Sequence, residues 1–316
     1  MAGYAFDPEL AGAVSQLHTS MDLGDPAVIA AMRAPDGRFV VPAPERHDVH
    51  RRDLVIDGYE IGTRVPLRIY EPLAPARGLR PGVLEIHGGG FIMGDLAMMD
   101  AWCQAVAAEL DAIVVSVDYR LAPEHPYPAA LHDCYAGLCW VMAHAAELGI
   151  DPARIAIAGQ SAGGALAAAV TLFSRDHDGP RPCFQLLEIP VMDDRLDTPS
   201  MRAFTDTPLW NRPNAEWGWR HYLGPLFGGD VPAYAAPLRA ADLSGLPPAY
   251  ISTMEFDPLR DEGLLYGMRL LQAGVPVELH NFPGTFHGSI LVREAQVSQR
   301  ITAEAFGALA RAIAPR

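Results

Sequence analysis

From Val83 onward, short apolar runs alternate with longer segments that carry apolar residues at helical spacing. The runs Val83–His87, Ile113–Asp118, Arg154–Gly159, Phe184–Pro190, Pro248–Met254 and Val277–Phe282 predict strands. Helices are expected in the intervals and over Val292–Ala314 at the C-terminus. Such alternation indicates an α/β fold, a mostly parallel sheet with helices on both faces. Ahead of it, Val49–Ile56 and Arg64–Tyr70 read as an antiparallel opening pair. Earlier still, Leu10, Val14, Leu17 and Met21, then Val28, Ile29 and Met32, predict two short helices between Pro8 and Met32. A Pro/Asp/Gly-rich connection over Pro35–Pro44 follows them. The interval Asp193–Gly229 breaks the alternation and is dense in aromatics, with Phe204, Trp210, Trp217, Trp219, Tyr222 and Phe227. That density suggests a cap over a pocket, although an insertion that packs the core would carry the same rings.

Two glycine-rich stretches sit at strand ends. Gly159-Gln160-Ser161-Ala162-Gly163-Gly164 follows the run Arg154–Ala158 and precedes an Ala-rich segment without Gly or Pro. A strand that enters a tight turn and leaves as a helix is the setting a nucleophile elbow needs. Taken alone, the motif is equally compatible with an ordinary strand-to-helix turn. His87-Gly88-Gly89-Gly90-Phe91 directly follows another strand. Three successive glycines leave backbone N–H groups free to converge on one point, where each stabilises an oxyanion by ~3–4 kcal/mol. A phosphate loop would end in Lys, and all 24 basic residues of this chain are Arg. The dinucleotide fingerprint does not fit the run either.

A serine nucleophile needs a base, and the base needs an orienting carboxylate. In the order Ser, acid, His, the histidine falls at His287, in a turn-prone stretch after the last strand run; His280 lies inside that run. Asp257 ends the run Ala249–Met254 and precedes Pro258, which keeps it off a helix; Glu255 and Asp261 compete with it. His87 suits a structural role in the glycine loop, and Asp118-Tyr119-Arg120 with Glu124-His125 reads as a polar scaffold bracing that loop. Asp176, Asp178, Asp193 and Asp194 lack the spacing of a calcium loop and read as solvated loop acids.

The chain resembles the hormone-sensitive-lipase-like α/β-hydrolases, the family IV bacterial esterases with an HGGG loop. The likeness rests on His87–Phe91, Asp118-Tyr-Arg-Leu-Ala-Pro-Glu-His-Pro-Tyr-Pro-Ala-Ala130, the Ser161 turn, Asp257-Pro-Leu-Arg-Asp-Glu-Gly263 and Phe286-His287-Gly288. It runs from about Tyr70 to the end. The resemblance implies one α/β-hydrolase domain over 1–316 with an eight-stranded sheet, capped by about 1–45 and about 193–229. It also implies a Ser161–His287–Asp257 triad with an oxyanion hole from Gly89, Gly90 and Ala162, Gly88 being a further candidate. Phe91, Met93, Phe204, Leu209 and Trp210 are expected to bound the substrate pocket, and no metal or organic cofactor is required. Two positions depart from the family pattern: Gln160 stands where Asp or Thr is usual, and Ser289 where Phe is usual. The implied activity is hydrolysis of short-to-medium carboxylic esters. An amidase or deacetylase on the same scaffold is the alternative. A non-catalytic ligand-binding relative is the other, and the intact His287 argues against it.

Length and composition narrow the partners. The 316 residues are 50% hydrophobic, enough to fill a large core, and the net charge of −14 disfavours nucleic acid or anionic membrane. A small-molecule ester is the expected partner, and a homodimer is compatible with the chain. Cys103, Cys134, Cys139 and Cys183 show no C-x-x-C spacing and read as inert thiols. The first ten residues lack a basic and apolar leader pattern, and no apolar run reaches membrane-spanning length, so a cytoplasmic enzyme is expected.

Overall fold

The computed structural model describes residues 3–14, 17, 21–34 and 46–315, so the expected connection over Pro35–Pro44 lies outside the described residues. Eight strands form one sheet: β1 (Val49–Asp57), β2 (Arg64–Pro72), β3 (Arg80–Ile86), β4 (Ile113–Val117), β5 (Ile150–Gln160), β6 (Phe184–Glu188), β7 (Ala249–Phe256) and β8 (Val277–Phe286). Their spatial order is β1-β2-β4-β3-β5-β6-β7-β8. β2 runs antiparallel to both of its neighbours, and every other pair is parallel. Every residue of β4 and β6 is buried, as expected of parallel strands covered on both faces.

Period-2 alternation sorts the side chains into two cores. Val83, Val114, Ala156, Ala158, Leu186 and Tyr250 pack under helices Asp100–Leu110 and Gln296–Ala312. Their chain neighbours Leu84, Val115, Ile155, Ile157, Leu187 and Ile251 belong to the opposite core, with Ala-rich helix Ala162–Asp176 and helix Ala129–Ala143. Small residues let helix Ala162–Asp176 lie close on the sheet, and thirteen of its residues are buried.

Several expected boundaries shift; β5, for one, begins at Ile150 rather than Arg154. β8 continues four residues beyond Phe282, through Pro283-Gly284, because Phe286 pairs with Phe256 after a register irregularity. The Gly284 N–H also donates to Glu255 Oε2 at 2.6 Å, which holds this segment extended. The last helix begins at Gln296 rather than Val292, since a 3-10 turn over Ser289–Leu291 comes first. The first helix is Pro8–Val14, with Leu17 and Met21 beyond it.

The second short helix, Pro26–Arg33, is set by its sequence: Pro26 occupies the first turn and the Asp25 carboxylate accepts from Ala27 N–H at 2.8 Å. Arg33 ties it down, donating from Nε to Ile92 O (2.7 Å) and from Nη2 to Ala122 O (2.6 Å). In the aromatic interval, Asn211 caps helix Arg212–Leu223, and His221 Nε2 hydrogen-bonds Leu23 O at 2.7 Å. Trp219 and Tyr222 of that helix are buried against Phe91, so part of the interval does pack the core. Among the described residues, no helix is long and apolar enough to cross a membrane.

Candidate active site

β5 ends at Gln160 and a helix starts at Ala162, so Ser161 turns the chain alone, at φ 55°, ψ −117°. A non-glycine residue held there stores about 1–3 kcal/mol of strain, which surrounding bonds must offset. They are present: Ser161 N–H donates to Glu188 O at 2.8 Å, and its carbonyl accepts from Ala165 (3.1 Å) and Val191 (3.2 Å). Two flanking positions must lack a side chain. A Cβ on Gly159 would strike the Gly163 carbonyl, and one on Gly163 would strike the carbonyl oxygens of Ile86 and His87. The turn is thereby locked against the glycine loop that follows β3.

That loop adopts conformations suited to glycine, with φ 113° at Gly89 and 59° at Gly90. Among the described residues, none accepts a hydrogen bond from the N–H groups of Gly88, Gly89, Gly90 or Ala162. His87 is fully buried; its Nδ1–H donates to Gly88 O at 2.7 Å, and its ring stacks on Tyr119 at 4.1 Å. Tyr119 Oη donates in turn to His87 O at 3.0 Å. Burial pushes the imidazole down to about 4, so His87 is neutral at physiological pH and braces the loop, as its sequence position implied. Tyr119 does the same, whereas Arg120 turns away to grip the buried Asp133 and Glu124 pairs with Arg33.

At the ends of β7 and β8, His287 Nδ1 and Asp257 Oδ2 lie 2.7 Å apart. The other carboxylate oxygen of Asp257 accepts from Leu259 N–H at 2.9 Å, so both oxygens of this buried acid are engaged. The competing acids are used elsewhere: Glu255 holds Gly284, while Asp261 accepts from Ser200 N–H and from Arg260. His280 sits between Glu278 and Glu304, against the last helix. Asp193 and Asp194 depart from the reading as solvated acids. They are 4% and 6% exposed, because Arg195 and Arg239 neutralise them from adjacent segments.

Ser161, His287 and Gly88–Gly90 open on one cavity of about 530 Å³. Of the expected pocket residues, Met93, Leu209 and Trp210 line it. Phe91 and Phe204 do not: Phe91 is 2% exposed and stacks on Tyr222 at 3.9 Å, and Phe204 packs with Tyr4 and Phe256. Sequence reasoning missed Met21, Val28 and Met32 at the N-terminal side, and Met98, Met99 and Leu291. The pair Met98-Met99 was a signal of sorts, since thioethers fill irregular, adaptable sites. The two departures from the family pattern also have places. Gln160 Nε2 donates to the buried Glu188 at 3.1 Å, and Ser289 is buried with its carbonyl accepting from Ser298 Oγ.

Comparison with known proteins agrees with this geometry. Residues 83–291 match the family described as the alpha/beta hydrolase fold. The esterase LipI of Mycobacterium tuberculosis is 47% identical over 240 residues, covering 75% of this chain and 74% of that protein. The carboxylesterase NlhH of the same species is 47% identical over 236 residues, covering 74% of this chain and 73% of its own. A solved structure titled bacterial heroin esterase superposes with a TM-score of 0.90 at 50% identity, over 98% of this chain and 99% of that one. The sheet, the motifs and these relatives converge: the chain belongs to the α/β-hydrolase-fold family, in its hormone-sensitive-lipase-like group, and is a carboxylic-ester-hydrolysing enzyme.

Proposed function

We propose that Ser161, His287 and Asp257 hydrolyse short-to-medium carboxylic esters through an acyl-enzyme. The supporting observation is that the strained Ser161 turn, His287 with Asp257 bonded to it, and the glycine loop meet at one cavity, and that among the described residues nothing accepts from the loop's N–H groups. Ser161 Oγ attacks the ester carbonyl as its proton passes to His287 Nε2. Negative charge on the former carbonyl oxygen is received by N–H groups of Gly89, Gly90 and Ala162, with Gly88 beside them. Asp257 holds the imidazole by Nδ1 and stabilises the imidazolium. Collapse of the intermediate breaks the C–O bond, and Nε2–H protonates the departing alcohol. Water then repeats the sequence on the acyl-enzyme, releasing the acid and restoring Ser161. The helices of 8–33 and the segment 193–229 act as the cap, since Met21, Val28, Met32, Leu209 and Trp210 close the cavity from those segments.

An organophosphonate bearing a 4-nitrophenyl leaving group tests the roles. It should label the native enzyme and fail on Ser161→Ala, with circular dichroism showing the variant folded. Ser161→Ala and His287→Ala should each lower kcat by several orders of magnitude, and the double variant little further, because members of one relay are non-additive. If the two losses multiplied, or if His280→Ala were the more damaging change, the assignment would fail. On 4-nitrophenyl esters of increasing acyl length, kcat/KM should rise and then fall within the medium range. Each methylene gains about 0.8 kcal/mol only while space remains. A rate still climbing with long-chain triglycerides would reject the bounded pocket.

A further inference from the structure

A second cavity of about 540 Å³ lies between helices Asp100–Leu110 and Gln296–Ala312, on the far side of the residue preceding Ser161. It shares a wall with the catalytic cavity. Met98, Met99, Gln160, Ile290 and Leu291 line both. Four of those five side chains are unbranched at Cβ, and the two thioethers adapt readily to a guest. Gln160 is the only polar member.

The far chamber has a defined chemistry. Trp102 and Phe306 both line it and meet edge to face, with ring centroids 5.9 Å apart. Beside them the Gln104 amide donates to Asp100 O at 3.2 Å, and the Gln160 amide to Glu188 at 3.1 Å. Among the described residues, nothing donates to the carbonyl oxygen of either amide, so two acceptors remain for a guest. Two rings and two spare acceptors suit an aromatic group that carries a hydrogen-bond donor.

We propose that this chamber is a second substrate subsite, taking an aromatic arm of the ester that bears a hydroxyl or N–H group and enters past Gln160. The proposal rests on Ser161 being the nucleophile. Two phosphonates with a 4-nitrophenyl leaving group test it, one with a 3-(4-hydroxyphenyl)propyl arm on carbon–phosphorus and the other with that arm on the retained ester oxygen. Crystal structures of the adducts should place the ring of one of them in the far chamber, against the Trp102 and Phe306 pair. Labelling with both rings in the catalytic cavity or in solvent would overturn the subsite and leave the nucleophile standing. Labelling by an arm-free methylphosphonate but by neither arm-bearing one would likewise overturn the subsite, and absence of labelling by all three would instead overturn the reading of Ser161.

Kinetics supply an independent measure. Esters carrying the hydroxyphenylpropyl arm on the acyl side are compared with the acetate of the same leaving group, and those carrying it on the alcohol side with the ethyl ester of the same acid. Ala105→Trp fills the chamber from helix Asp100–Leu110 and should lower the ratio of kcat/KM for the arm-bearing ester to that of its arm-free reference at least tenfold in one series. An unchanged ratio in both would refute the proposal. Gln104→Leu should reduce the preference for the hydroxylated arm over its phenyl counterpart about threefold to tenfold, the range of one hydrogen bond. No preference in the native enzyme would overturn the donor requirement.

Discussion

Gly90 shows how much a single position can carry. Its φ of 59° is left-handed, and a Cβ there would come within 2.5 Å of the Trp210 ring that walls the cavity. Gly90→Ala therefore strains the loop and displaces an N–H that the proposed mechanism assigns to the oxyanion. A fall in kcat of about 10²-fold or more is expected by steady-state kinetics, since one oxyanion donor is worth that much. The His287–Asp257 pair, the Ser161 turn and the glycine loop were legible because the proposed chemistry demands fixed residue types at strand ends. Phe91 was misjudged for the opposite reason: adjacency to the loop in sequence does not fix which way a ring turns. At φ 66° its side chain swings into the core against Tyr222.

Between elements, the buried Glu85 couples two strands. It lies on β3 opposite Ser116 of β4, whose hydroxyl donates to it at 2.5 Å, and one carboxyl oxygen has no partner. Burial pushes the acid up from 4.5 to about 8, and the buried Glu188 on β6 up to about 7. The folded protein thus keeps protons that the unfolded chain releases between about pH 4.5 and 8. More protons on the folded side mean that stability falls as pH rises through that window. Glu85→Gln removes one such group while preserving its shape. The variant's melting temperature relative to the native enzyme should therefore increase from pH 6 to pH 9; a constant difference would count against a protonated Glu85. The sequence displayed the strands themselves through apolar runs, yet it hid the extension of β8. Pro283-Gly284 carries the composition of a turn, and only a cross-strand partner, Phe256, with the Glu255 carboxylate keeps it extended. Local propensity gave way to tertiary pairing there.

At the scale of the molecule, the alternation of runs was enough to foresee the mostly parallel sheet, whereas the pocket walls were not. They are assembled from residues near positions 21–32, 93–99, 209–210 and 287–291, which no local pattern connects. The sheet order also sets a sequence of vulnerability. β8 is an edge strand, hydrogen-bonded in the sheet to β7 alone, and His287 follows its last residue while Asp257 follows the last residue of β7. Fraying of an edge is a cheaper opening than global unfolding, and native proteins sample such openings separately. Loss of this one ladder would part His287 from Asp257 while the central strands stayed paired. In a urea titration, activity should disappear at a lower concentration than far-UV ellipticity, and amides of Val277–Phe286 should exchange faster than those of β4–β6. Coincident transitions with uniform protection would mean that the edge unfolds only with the whole. On the roles proposed above, His287 also comes after Ser161 and Asp257 in the chain, so the base would be the last of the three to leave the ribosome.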